Sequence, residues 1–314
     1  MKAGSEKTLS SAELLRHVHL VELRARRLVM DLLAGPYRSI FRGRGLEFDD
    51  IREYSPGDDV RSIDWHATAR SGTVQIKQNI EERCLTVMLA VDLSASNEFG
   101  SGPQSKRELT AELAAVLALS AVSNNDRVGL AIFTDTIEAY LPPRTGRRQA
   151  LAIVAAILGH QPRSPRTSMD KALRVLGSLL RHRTTLFLLS DFLDEGFGRA
   201  LRLVSLRHDV VAVSVQDPVE VCLPSLGWLV CEDAESGDLV EFQTSDPACR
   251  RSFDLHRLAR LAGLQEAFRR AGVDSIFCET GKPYHRALLQ FFDRRQRSIG
   301  RGNGAVGPGV ERPG

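Results

Sequence analysis

From residue 84 onward the sequence alternates between short apolar runs and longer amphipathic stretches, and the first run, residues 84–91 (CLTVMLAV), is apolar almost without a break. A strand that shows water neither face belongs to a sheet covered on both sides, which means a mostly parallel, doubly wound sheet with helices above and below. The rhythm after it is a helix from 106 to about 123, a strand at 128–134 turning at Asp135-Thr136 into a strand at 137–141, and helices at 147–158 and 168–180. Next come a strand at 185–189, a helix at 198–206 and a strand at 210–215. Residues 223–244 break the rhythm and read as an inserted β-hairpin around Ser236-Gly237. A helix at 255–271, a strand at 275–278 and a helix from 284 to about 295 complete it. The longest apolar run, 113–122 (LAAVLALSAV), is far shorter than the ~20 residues that cross a bilayer, so it is a buried helix and no membrane span is expected.

Ahead of this α/β unit, Ser10 and Glu13 have capping-box spacing, and Leu14, Val18, Val21, Ala25, Leu28 and Leu32 recur at steps of three and four. This amphipathic N-terminal helix occupies 1–37, stopped by Gly35-Pro36, with Arg16, Arg24, Arg26 and Arg27 on a solvated face. Residues 38–83 form a small charged β-containing module with pieces at 46–48 and 74–80 and turns at Ser55-Pro56-Gly57-Asp58 and Ser71-Gly72. Eight basic and nine acidic residues there nearly cancel, which favours a self-satisfied network over a nucleic-acid surface. Asp64-Trp65-His66 has no nucleophile or metal spacing near it and reads as structural. The α/β unit spans 84–296, and the glycine-rich 297–314 is expected to be a disordered tail. The N-terminus has no signal-peptide core, so a cytoplasmic location is expected. Five cysteines without a C-x-x-C pair signal neither disulfides nor zinc, and Cys84 and Cys278 read as buried thiols.

Chemistry concentrates where strands end. Asp92-Leu93-Ser94-Ala95-Ser96 follows the first core strand, and ligands of open α/β sheets sit at the carboxyl ends of strands. Mg²⁺, or Mn²⁺ or Ca²⁺, takes oxygen ligands, and this D-x-S-x-S turn offers a carboxylate and two hydroxyls. Thr167, before one helix, and Asp191, directly after the strand LFLLS, offer two more. D-x-S-x-S by itself is more often a helix-capping loop, and the three separated pieces together carry the argument.

Asp92, Ser94, Ser96, Thr167 and Asp191 resemble the metal-ion-dependent adhesion site of von Willebrand factor A domains. Together with GRGLEFDDIREYSPGDDVRSIDWHATARSG, SDF at Asp191, HDVVAVSVQDPVE and YHRALLQFFDRR, the chain resembles the bacterial family called domain of unknown function 58 over roughly 10–296. The resemblance implies a von Willebrand A-like fold, a divalent ion held by those five residues, and a chaperone-like or assembly role beside a MoxR-type AAA+ ATPase. It also implies an open metal position that accepts an Asp or Glu from that ATPase or from a client protein. Arg166, where a glycine is common, and Asn97, where an apolar residue is common, depart from the pattern and bear mainly on Thr167.

Competing chemistry is poorly served. A haloacid-dehalogenase-like phosphatase needs a carboxylate where Ser94 stands, residues 100–106 (GSGPQSK) lack the phosphate-loop spacing, and no G-x-S-x-G elbow is present. The formal net charge of +3 and the 6% aromatic content give no broad drive toward nucleic acid. A non-enzymatic, metal-dependent protein-interaction protein is expected, with a metal-dependent hydrolase, or a scaffold whose metal site is vestigial, as the alternatives.

Overall fold

The computed structural model describes residues 11–33, 51–55, 60, 63–77, 84–235 and 237–302. Helix α1 (Ser11–Leu33) precedes a small antiparallel ladder of β1 (Ile51–Glu53) and β2 (Gln75–Lys77), with helix α2 (Trp65–Ser71) between them in the chain. Asp64 accepts from the backbone N–H groups of His66 and Ala67, so it is the N-cap of α2, and Gly72 closes the helix in the left-handed conformation. The Asp64-Trp65-His66 triplet is therefore a helix start, in a segment whose sequence shows little helical period.

The main sheet follows. Its strands are β3 (Thr86–Asp92), β4 (Arg127–Phe133), β5 (Ile137–Arg144), β6 (Thr185–Ser190), β7 (Asp209–Gln216) and, after the hairpin β8 (Trp228–Glu232) and β9 (Leu239–Gln243), β10 (Asp274–Glu279). They lie in the order β5-β4-β3-β6-β7-β10, all parallel except the edge strand β5. This is the expected doubly wound, mostly parallel sheet of an α/β fold, and the expected β-hairpin is present as a separate two-stranded ladder. From β3 the chain winds one way to β4 and β5, then returns to β6 and winds the other way. The strand order thus reverses between β3 and β6, which is where ligands of such sheets sit. Pro142 and Pro143 carry β5 past the expected end at 141, because an edge strand needs hydrogen bonds on one side only. Gly129 lets β5 approach: a Cβ there would lie 2.8 Å from the Leu141 carbonyl oxygen.

Helices α3 (Lys106–Ser123) and α4 (Arg147–Gly159) cover one face, and α5 (Met169–Leu179) and α6 (Gly198–Ser205) the other, before the short α7 (Pro218–Val221). Alternation along β3 assigns its side chains, with Val87, Leu89 and Val91 in the first core layer and Met88 and Ala90 in the second. Helix α3 is buried nearly all round, from Leu109 to Ala121, because α1 lies over its outer side. Val18, Val21, Ala25 and Val29 of α1 enter the same core, each large side chain contributing roughly 1.5–3 kcal/mol. Two of the arginines expected on a solvated face are paired: Arg24 donates to the buried Glu112 of α3, and Arg26 lies 3.3 Å from Glu22, which also accepts from Arg147.

Helix α8 (Pro247–Ala271) starts eight residues before the expected 255, since Asp246 caps it and Pro247 fits its first turn. Helix α9 (Tyr284–Gly302) corrects the expected disordered tail from 297: RRQRSIGRG continues the helix, with arginines favoured toward a helix C-terminus. The expected tail residues 303–314 lie outside the described residues, as do Ser10, Gly35-Pro36, the 46–48 piece, residues 78–80, and Pro56 to Asp58. Cys84 is exposed rather than buried, because it precedes the strand, while Cys278 inside β10 is buried and its thiol is pushed up to about 12 by burial.

Between α3 and β4, the buried Asp126 accepts the Leu85 N–H, yet burial outweighs that bond and raises its pKa from 3.8 to about 6. The native state therefore holds this proton longer than the unfolded chain, so its share of stability falls as pH rises from about 4 to 6. Asp126→Asn keeps an acceptor for Leu85 and should exceed wild type above pH 6 by about 1–2 kcal/mol after allowing for partial solvation. Chemical denaturation of both proteins from pH 4 to 8 checks this, and parallel stability curves would exclude it.

Candidate functional site

The carboxyl end of β3 delivers Asp92 into the sheet's switch point, fully buried. One carboxylate oxygen accepts the Ser94 N–H at 3.0 Å, which folds the following turn back on the strand. The other accepts from Ser190 Oγ, the last residue of β6, at 2.7 Å. Ser94 is likewise buried, its Oγ 3.2 Å from Ser96 Oγ. Neighbouring oxygens of an octahedral ion at 2.0–2.1 Å lie about 3 Å apart, so the two hydroxyls are spaced as adjacent ligands would be. Asn97 donates to Ser94 Oγ at 3.4 Å, and its own Oδ1 is buried without a partner.

Asp191 follows β6 directly and is 4% exposed. The next residue, Phe192, has φ +54, a costly conformation for an aromatic residue. Its ring holds it there, packed edge-on against Phe268 at 5.1 Å, and its N–H is satisfied by Ser190 Oγ. This turn sets the direction of the Asp191 side chain. Thr167 arrives on the loop before α5, which is tied to the D-x-S-x-S turn by the bond from Ala95 N–H to the Pro165 carbonyl. All five expected residues thus belong to segments that meet at one end of the sheet. The acidic Asp194 beside them has a local role, accepting the first-turn N–H of Met169 in α5 at 2.7 Å.

Sequence reading missed four participants. Lys106, at the start of α3, is fully buried, and its Nζ donates to Asp191 at 2.9 Å and to Glu220 of α7 at 2.6 Å. Burial alone would lower its pKa, but Asp191 and Glu220 outweigh it and hold the ammonium above the ordinary lysine value. Ser190 holds Asp92, as above. Glu235, at the tip of the β8–β9 hairpin, accepts from Thr167 Oγ1 at 2.9 Å. All four lie between 68 and 114 positions from the residue they bond, too far for spacing to reveal.

The electrostatics are unbalanced. Burial, then the charge of Asp191, raises Asp92 from 3.8 to about 7, against the bonds from Ser94 and Ser190. Lys106 pairs with Asp191 and Glu220, while Asp92 is bonded by Ser94 and Ser190 and feels the charge of Asp191. Among the described residues no group of three His, Cys, Asp or Glu could hold a metal ion. A site of two carboxylates and hydroxyls is not of that kind, and the donor set, all hard oxygen, fits Mg²⁺ or Mn²⁺. When bound, such an ion would supply an electrophilic centre with room for one further oxygen.

A profile described as "Protein of unknown function DUF58" matches residues 50–261. Uncharacterized proteins of Mycobacterium bovis and Mycobacterium tuberculosis are each 32% identical over 280 residues, covering 88% of this chain and 88% of their own. Among solved structures, the conserved hypothetical protein BatB from Bacteroides thetaiotaomicron matches with TM-score 0.46 and 16% identity, over 68% of this chain and 99% of its own. An aerotolerance-related membrane protein from Bacteroides fragilis matches with TM-score 0.46 and 18% identity, over 67% and 99%. Among the described residues no helix is long and apolar enough to cross a membrane.

Proposed function

The chain belongs to the family described as Protein of unknown function DUF58, and from that footing we propose that it is a non-enzymatic protein-interaction protein whose contacts depend on a divalent metal. Asp92, Ser94, Ser96, Thr167 and Asp191 would hold Mg²⁺ or a similar ion, and an Asp or Glu of a partner would complete its coordination. What supports this reading is that the segments carrying these residues meet at the switch point, with the buried Asp92 and Asp191 near enough for the charge of one to raise the pKa of the other. The partner we propose is a MoxR-type AAA+ ATPase or its client, in assembly or chaperone-like maturation in the cytoplasm.

Lys106 favours a second reading. Its ammonium already sits on Asp191, as an internal cation would in a scaffold that has dispensed with the ion. Thermal denaturation with and without Mg²⁺ or Mn²⁺ separates the two. At a hundredfold excess over Kd, wild type should gain about 2.7 kcal/mol, seen as a midpoint several degrees higher, and Asp92→Ala should gain nothing. A wild-type midpoint indifferent to every divalent ion leaves the scaffold reading. For the partner, a pull-down should retain the ATPase only without chelator, and identical protein sets in both samples would take the metal out of the interaction.

A further inference from the structure

Helix α8 borders a cleft at the carboxyl ends of β6 and β7. Asp191 and Glu220 face it from the rim of the sheet, Arg257 and Arg260 face it from α8, and Phe192, Leu261 and Leu264 make its apolar lining. The two sides differ in how far their charge is satisfied. Asp191 and Glu220 both accept from the Lys106 ammonium. Arg257 Nε, by contrast, is buried with no hydrogen-bond partner, and among the described residues neither Arg257 nor Arg260 forms an ion pair, whereas Arg269 and Arg270 farther along the helix both hold Glu266. A guanidinium stays charged at any ordinary pH, so it cannot escape a dry, unpaired position by losing its proton. An unmet donor of this kind is destabilising, yet the fold keeps one here, a helical turn from the exposed Arg260. Positions 257, 260, 261 and 264 share one face of α8, so both guanidinium forks and the leucines are presented together.

We propose that this cleft binds an acidic peptide segment of a partner protein, a glutamate or aspartate flanked by apolar residues, with Arg257 and Arg260 clamping its carboxylate. A guanidinium offers parallel N–H donors that match the two oxygens of a carboxylate, and a carboxylate here meets the Nε that lacks an acceptor. The lining favours a peptide over a bare anion. Phe192, Leu261 and Leu264 receive the stem of the acidic side chain, and Leu258, next to Leu261 and 51% exposed, extends the apolar contact outward along α8. A basic ligand is poorly served, because both carboxylates of the cleft already hold an ammonium, and three cations against two carboxylates leave its walls positive. The cleft needs no metal, so it stands whether or not an ion is bound at the end of β3.

The probe is a tripeptide of leucine, glutamate and leucine with both ends blocked, titrated into the full chain in the presence of a chelator. Its glutamine counterpart, acetate and inorganic phosphate are run beside it. The glutamate peptide should shift the Nε–H resonance of Arg257, identified by its absence from Arg257→Gln. Exchanging glutamate for glutamine should weaken binding at least about tenfold, the effect of losing a charge-assisted bond. Arg257→Gln and Arg260→Gln should lose as much, while Arg183→Gln, exposed ahead of β6 at the opposite end of the sheet, keeps wild-type affinity. The thermal midpoint of Arg257→Gln should not fall, since an unmet donor has been removed. A lower midpoint with unchanged peptide affinity would make Arg257 a packing group and overturn the proposal. Equal affinity for the glutamate and glutamine peptides, acetate or phosphate binding as tightly as the peptide, or no shift of the Arg257 resonance would overturn it too. Binding that appears only when Mg²⁺ replaces the chelator would overturn the arginine cleft and leave the metal reading in place.

Discussion

Lys106→Met should destabilise the protein by about 3–5 kcal/mol, because it leaves the buried Asp191 and its neighbour Glu220 without their cation while filling similar space. Chemical denaturation measures the loss. The same variant adjudicates between the two readings of the site. Removing one positive charge deepens the negative field at the switch point, so Mn²⁺ should bind the variant more tightly than wild type and restore part of the lost stability. A variant that is destabilised yet indifferent to Mn²⁺ would show that the ammonium serves the fold alone. Lys106 then would be the resident cation of a scaffold, and the interaction surface would have to lie elsewhere.

The second large effect belongs to Asp217. This buried carboxylate accepts from the backbone N–H and Oγ of Ser101, the Val219 N–H and Thr280 Oγ1, joining the loop before α3 to the ends of β7 and β10. Asp217→Ala leaves four donors without their acceptor, and at about 1 kcal/mol or more each the expected cost is roughly 3–5 kcal/mol. Because that loop leads into Lys106, the variant should also loosen the ammonium on Asp191 and alter Mn²⁺ affinity. Burial would raise the Asp217 pKa, but the bonds from Ser101, Val219 and Thr280 outweigh it and hold it below 3.8. Its folded-state value being depressed, the stabilisation is complete above about pH 4 and is lost as pH falls below that. An acid titration of stability that is equally steep in wild type and Asp217→Asn would refute the assignment.

The sheet was legible because a doubly covered strand has to be apolar on both sides: β3 and β6 announce themselves as CLTVMLAV and LFLLS, and the expected ends moved by only one or two residues. Asp92, Ser94, Ser96 and Asp191 were legible for a related reason, since polar residues that abruptly end such runs can only be at the sheet's rim. Lys106 was hidden because a lysine in a first helical turn usually points to water, and nothing local says that two carboxylates 85 and 114 positions onward enclose it. Glu235 was hidden because a hairpin's sequence specifies its own ladder and says nothing of what its tip will touch. Arg24 illustrates the same limit, as an arginine stripe looks alike whether it faces only solvent or also reaches the carboxylate of another helix, here Glu112.

The lid that α1 makes over α3 has a consequence for where this protein can be cut. The segment that the family profile matches, residues 50–261, is narrower than the unit that folds. A fragment with those borders would strip Val18, Val21, Ala25 and Val29 from the all-apolar flank of α3 and would orphan Glu112. It would also lose β10, exposing β7 as a raw edge, together with Phe291 and Phe292 of α9, which close the same core from the other end. The borders of the family profile and the cooperative borders differ here: α1 and α9, on either side of that segment, are both structural members of one core layer.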